Sequence, residues 1–380
     1  MPTIAPRERR RPAAAEHVPV ERLRASAFEI PTAAPEESDG TLIWRSTGVV
    51  VVEVDGGGGA GLGYAYCDAA AARIAETTLA EAISGADALA PGDAWTRMQA
   101  AIRQLGQEGL AAMAASAVDL ALWDLKAKLL GVALCDLLPR VRDAVPAYAS
   151  GGFTSYSDGE LREQLGGWAA DGFRSVKMKV GRDPAADPAR VAAAREAVGD
   201  EVELMVDANG AWRTPAQALA WAHRFAREQG VAWLEEPVSS RNLDGLRAIR
   251  AHGPAGMDVA AGEYVWTLAD ARRLLEAEAV DVLQADATRC GGITGLLGVD
   301  ALCAAHERPF SGHCVPAVMA HAGCALRTLI HTEWFFDHQR AERLLFDGVP
   351  EPAGGLLRPD RSRPGLGLEL KRADAQRWAA

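Results

Sequence analysis

Residues 176–209 read VKMKVGRDPAADPARVAAAREAVGDEVELMVDAN, and residues 231–263 read VAWLEEPVSSRNLDGLRAIRAHGPAGMDVAAGE. Each stretch is a short apolar run, an amphipathic segment of helical length, and a second apolar run that closes on a carboxylate. Strands alternating with helices imply parallel pairing and βαβ units. Lys179, Asp207, Glu235 and Glu263 follow one another in equal steps of 28 residues, each closing or just following an apolar run. One step is about one βα unit, so these groups recur at the same end of successive strands.

Working outward, the apolar runs are Val145–Tyr148, Val176–Val180, Val202–Val206, Val231–Leu234, Met257–Ala261, Val280–Leu283, Pro309–Ser311 and Leu329–Phe336. Eight of them predict an α/β fold, a TIM-like (β/α) barrel whose C-terminal strand ends carry the site. Asp286, His313 and Glu333 continue the series on the last three runs. Before the barrel, Val49–Val54 and Leu62–Tyr66 flank glycines 56–59 and read as a β-meander. With no GK[ST] after those glycines, a hairpin is favoured over a phosphate loop. Between Ala69 and Leu138 helical periodicity dominates, as in Met113–Leu130 around Trp123. The expected organisation is a disordered leader over 1–17, an α+β capping domain over 18–140, the barrel over 141–345, and a segment over 346–380 that packs back on the capping domain.

Composition narrows the function. At 380 residues and 49% hydrophobic content the chain can bury a large core. A net charge of −11 argues against nucleic acid as a partner, and the basic cluster Arg7–Arg11 lies in the Pro/Ala-rich leader. No apolar run reaches the roughly 20 residues of a membrane span. Cys67, Cys135, Cys290, Cys303, Cys314 and Cys324 form no CxxC pair or regular framework, so a reduced, cytoplasmic protein is expected.

Three carboxylates on adjacent strands, Asp207, Glu235 and Glu263, form an all-oxygen set suited to Mg²⁺, with Mn²⁺ as the alternative. Each alone reads as a solvated acid; together, in register, they would repel without a cation. Lys177 and Lys179 flank Met178, so strand alternation sends both to one face, and their mutual repulsion is expected to lower the pKa of both and make Lys179 a base. His313 with Asp286 on the neighbouring strand forms a second acid/base pair. His321 and His331 read as satisfied core or surface histidines.

Lys177-Met178-Lys179, Val206-Asp207-Ala208-Asn209, Glu235-Glu236-Pro237, Ala261-Gly262-Glu263-Tyr264, Gln284-Ala285-Asp286 and Gly312-His313 together resemble the enolase superfamily, specifically the mandelate racemase subgroup. The resemblance covers nearly the whole chain from about Val18. It implies Asp207, Glu235 and Glu263 as Mg²⁺ ligands, Lys179 and the His313/Asp286 dyad as bases, and Glu333 as a hydrogen-bond partner of a substrate carboxylate. It places Asn209 at the metal-proximal hydroxyl. One departure is Ala285, where the family often has proline before the dyad aspartate; a local backbone effect and no change of role is expected. The substrate is then a small-molecule carboxylate, preferably an acid sugar (aldonate or aldarate) dehydrated to a 2-keto-3-deoxy acid; the alternative is a racemase or epimerase of a 2-hydroxy acid. A Schiff-base aldolase built on Lys179 leaves the carboxylate triad unexplained, and a non-catalytic barrel leaves the whole register unexplained. Specificity is expected from Pro31–Arg45 with Trp44, and from Tyr148 and Ser150 at the first strand end. A homo-oligomer is the family-level expectation.

Overall fold

A computed structural model describes residues 17–380, so the leader with Arg7–Arg11 lies outside the described residues. Strands β1 (Val20–Pro31), β2 (Ser46–Gly56) and β3 (Gly59–Ala65) form an antiparallel meander. The β2–β3 link is the two-residue Gly57-Gly58 turn, with φ of 59° and 76°. Both values lie in the left-handed region that two-residue hairpins demand and glycine adopts freely. The glycine run is therefore a hairpin, as read from the sequence.

The meander lies against the helix α1 (Leu110–Leu129), where alanine recurs along the buried face. The approach is close enough that a Cβ built on Gly63 would come within 2.1 Å of the Ala117 carbonyl oxygen and 2.5 Å of the Ala121 nitrogen. Backbone on both sides cannot yield cheaply. Gly63→Ala is therefore expected to destabilise the protein by roughly 3 kcal/mol through overpacking, read as a fall in the urea midpoint with unchanged slope.

Eight parallel strands follow: β4 (Val145–Gly151), β5 (Ser175–Lys179), β6 (Glu203–Asp207), β7 (Val231–Glu235), β8 (Asp258–Ala261), β9 (Val282–Ala285), β10 (Phe310–Gly312) and β11 (Leu329–Phe335). Neighbours pair in chain order, and β11 pairs back on β4 from Thr332↔Ala147 to Phe335↔Ser150, closing the barrel. The run expected to start at Val280 pairs only from Val282. Just before it, Asp281 accepts from the Val259 nitrogen at 3.0 Å and from Arg250 at 2.6 Å, so its carboxylate anchors a turn. Inside the barrel, Tyr148, Met205, Trp233, Ala260 and Val282 pack into their own buried cluster. They fill the lumen and form a floor below the mouth. Among the described residues no helix is long and apolar enough to cross a membrane.

The capping elements and the barrel meet at a buried carboxyl. Glu342, on the helix Phe336–Leu345 that follows β11, accepts from Tyr64 Oη at 2.5 Å and Tyr66 Oη at 2.9 Å. Burial pushes its carboxyl up to about 7, against the hydrogen bonds of both tyrosines. The folded chain then holds this proton where the unfolded chain, with an ordinary glutamate, has lost it. Stability at this site is lost as pH rises from about 4.5 to about 7. Glu342→Gln is expected to flatten that slope, seen by comparing wild-type and variant urea midpoints at pH 5 and 7.5. The C-terminal residues reach the same layer: Ala380 donates its backbone N–H to the Ala27 carbonyl at 3.0 Å, and Arg372 pairs with Glu53.

Candidate active site

Lys177 and Lys179 are both buried and share one face of β5, because successive strand residues point to opposite sides. Lys177 Nζ reaches Glu235 Oε1 at 2.5 Å, Glu333 Oε1 at 3.0 Å and Asp207 Oδ2 at 3.9 Å. Lys179 Nζ lies 2.6 Å from Asp207 Oδ2. The expected mutual depression of the two lysines is overturned. Burial and the neighbouring ammonium do oppose the charge on Lys179, but Asp207, Glu333 and Glu235 outweigh them and raise its pKa. The same balance, led by Glu235 against burial, raises Lys177. Attraction to several buried carboxylates, the nearest at 2.5 Å from Lys177 and 2.6 Å from Lys179, exceeds the repulsion between the two ammonium groups.

On the far side, His313 Nδ1 is 2.9 Å from Asp286 Oδ2, and its Nε2 is 3.1 Å from Glu263 Oε2 and 3.6 Å from Glu333 Oε2. Thr288 donates to Asp286 Oδ1 through both its backbone nitrogen and its hydroxyl, at 2.7 Å each. Asp286 is thereby fixed in orientation, which fixes the imidazole in turn. Burial works against the His313 cation, and Cys314, Glu333 and Asp286 more than offset it. Burial likewise works against ionisation of Glu333, and Lys177, His313 and Lys179 hold it well below the usual carboxylate range.

Asp207, Glu235 and Glu263 all reach the mouth, with Asp207 directly opposite Glu235 in the β6–β7 register. Their donor atoms do not all lie within 4.8 Å of one another, and each has its own cation in Lys179, Lys177 and His313. Among the described residues, the one set of three metal-ligating side chains with donors mutually within 4.8 Å is Asp286, His313 and Cys314. Its donors are already engaged with one another and with Glu263 and Glu333. The carboxylate side has acceptor capacity to spare, since Asn209 Oδ1 and Glu236 Oε1 are buried without a partner. Glu236, buried and beside Glu263, Asp207 and Glu235, is raised well above an ordinary glutamate. An all-oxygen set this rich in mutual repulsion fits a hard divalent cation.

A cavity of about 550 Å³ opens above this floor, lined by Lys179, Asn209, Glu263, His313 and Glu333 and, from the capping side, by Asp39, Leu42 and Trp44. Trp44 Nε1 donates to Asp337 Oδ2 at 2.8 Å and meets the Phe153 ring edge-on. Tyr148 is not in the cavity wall. It is fully buried in the lumen cluster, and its hydroxyl accepts a 3.3 Å hydrogen bond from Lys177, beneath the cavity wall. Ser150 is equally buried at the end of β4. His331 bonds Ser311 Oγ at 2.9 Å, and burial lowers its pKa to about 3; burial lowers His321 to about 4.

Sequence reading passed over Glu236, Arg289 and Cys314. Arg289 lies 3.7 Å from Asp286 and 3.8 Å from Glu263, tying the dyad to the carboxylate side. Cys314 donates from its backbone nitrogen to Glu333 at 3.1 Å. A structural signal marks this neighbourhood: Asn209, Glu236, Cys314 and Val315 are non-glycine residues with φ between 41° and 52°. Such backbone strain concentrates where a site over-determines it.

Residues 160–375 match the family model described as Enolase C-terminal domain-like, and residues 38–139 match the Mandelate racemase / muconate lactonizing enzyme, N-terminal domain. The chain belongs to the mandelate racemase/muconate lactonizing enzyme family. A solved structure of a mandelate racemase/muconate lactonizing enzyme-like protein from Rubrobacter xylanophilus is 60% identical, with a TM-score of 0.93 over 95% of this chain and 100% of that one. A Streptomyces coelicolor A3(2) racemase solved with bound magnesium is 31% identical, with a TM-score of 0.88 over 95% of this chain and 100% of that one. The L-talarate/galactarate dehydratase of Salmonella typhimurium is 34% identical over 75% of this chain and 69% of its own length. This family member thus carries the enolase-type barrel and cap that the strand-end register predicts.

Proposed function

We propose that the protein removes the α-proton of an acid-sugar carboxylate and expels the β-hydroxyl, yielding a 2-keto-3-deoxy acid. The observation that carries this reading is one cavity with an amine, Lys179, and a carboxylate-backed imidazole, His313, in its wall above three hard-ligand carboxylates. Asp207, Glu235 and Glu263 are the residues that would hold Mg²⁺. Bound there, the ion would neutralise charge developing on the substrate carboxylate.

Lys179 on β5 and His313 after β10 come from strands far apart around the barrel, so they address different faces of the α-carbon. One, after giving up the proton that its carboxylate neighbours favour, takes the α-proton. The other delivers a proton to the departing β-hydroxyl, which leaves as water, and the enol ketonises in the same pocket. Asp286 keeps the imidazole in one tautomer for either task. Lys177, His313 and Lys179, which hold Glu333 ionised, are also the cations that would offset its charge against a substrate carboxylate. The capping wall around Trp44 excludes water from the reacting carbons.

The test is a panel of aldonic and aldaric acids with Mg²⁺, followed by semicarbazide detection of 2-keto acid. Product from at least one member is expected, and none from any would overturn dehydration. The same two groups would support racemisation of a 2-hydroxy acid if the second returned a proton to carbon. In D₂O that outcome shows as α-deuterium incorporation with the β-hydroxyl retained.

A further inference from the structure

We infer that the substrate of this site is a monocarboxylic polyhydroxy acid of the aldonate type, and that its cavity discriminates against the corresponding diacid; the inference rests on the reading above. Above the catalytic floor, the wall is contributed by Glu29, Asp39, Asp68 and Asp337, together with neutral side chains such as Leu42 and Trp44. Among the described residues, the cavity's cationic side chains are Lys179, Arg289 and His313, and all three belong to the floor. Lys179 is committed to Asp207, Arg289 lies between Asp286 and Glu263, and His313 is held by Asp286. Near the capping loop, Arg182 donates to the backbone oxygens of Asp39 and Leu42 and stands outside the wall.

A substrate carboxylate seated on the floor therefore points its distal end at acids. A second carboxylate there would lose hydration, find no cation, and face like charge, a combination that costs more the drier the cavity. Hydroxyl groups meet the opposite situation. Asn209 Oδ1 and His338 Nδ1 are buried polar atoms without a partner on residues that line this cavity. His338 is stacked on Tyr66 at 3.4 Å between ring centroids, and burial lowers its pKa to about 3, so it stays neutral. An amide oxygen and a neutral ring nitrogen suit the hydroxyls of a polyol chain. Polar atoms left unpaired in a folded interior are expensive, and a ligand hydroxyl is one way such a cost is recovered.

The experiment compares kcat/KM for aldonates and for the aldarates of matching chain length and configuration, with saturating Mg²⁺. α-Proton exchange in D₂O is measured on the same samples, and the pairs are repeated with Leu42→Arg. Leu42 is 61% exposed, so this variant adds a cation at the rim without disturbing the core. The expected result is a preference of tenfold or more for the monoacid, narrowing in Leu42→Arg and at high salt. Diacids turned over as well as or better than their monoacid partners would overturn the inference while leaving the proposed chemistry standing. Absence of α-proton exchange with every acid of both kinds would overturn that chemistry and this inference with it.

Discussion

Lys179→Met and His313→Asn are each expected to lower turnover by about two to four orders of magnitude, the range a positioned acid or base contributes. Neither change should unfold the barrel. Met fills the volume of the lysine stem beside the Phe335 ring, which lies 5.5 Å from the ammonium. Asn keeps a polar group next to Asp286. The discriminating measurement is α-proton exchange in D₂O followed by NMR on a pair of substrates epimeric at the α-carbon. If the two groups address opposite faces, each variant loses exchange on one epimer and keeps it on the other. Loss of exchange on both epimers together with a lower melting temperature would mean that the two residues only hold the mouth together. Asp286→Asn should resemble His313→Asn in which face it loses, because its effect passes through the hold of its carboxylate on His313 Nδ1.

Dialysis against EDTA is expected to abolish turnover, with recovery on adding Mg²⁺ and weaker recovery with Zn²⁺. The donor set is the reason: carboxylate oxygens from β6, β7 and the end of β8, with no sulfur or imidazole among them. A second readout does not depend on activity. Mg²⁺ that binds only the folded chain raises the melting temperature, and at about a hundredfold excess over its Kd the gain is about 2.7 kcal/mol. The rise should disappear in Asp207→Asn combined with Glu235→Gln, whose charges the ion would otherwise offset. An unchanged melting temperature in the wild type, with activity indifferent to EDTA, would remove the carboxylate set from the mechanism.

The equal spacing of Lys179, Asp207, Glu235 and Glu263 determined the barrel and the end that carries the site, since one βα unit consumes a nearly constant length of chain and returns to the same rim. The alternation around Met178 determined that Lys177 and Lys179 share a face. Local patterning does not carry distance between strands, and there the reading failed. Lys177 and Lys179 were expected to repel one another into neutrality, yet carboxylates from β6, β7 and β11 arrive between them. Tyr148 looked like a strand-end contact, yet the stagger of the closed barrel sinks it into the lumen under Lys177.

The capping wall was the least legible part. Asp39, Asp68 and Asp337 lie far apart in the chain and look like ordinary surface acids, each with nothing around it to mark it. By itself the sequence determined the fold class and which polar side chains share one rim of the barrel, because both follow from periodicities within one or two elements. Only the tertiary structure decided which charge answers which, how deep each residue sits and what surrounds the far end of the cavity, because those depend on packing between segments hundreds of residues apart, where electrostatic energy changes steeply with separation and burial.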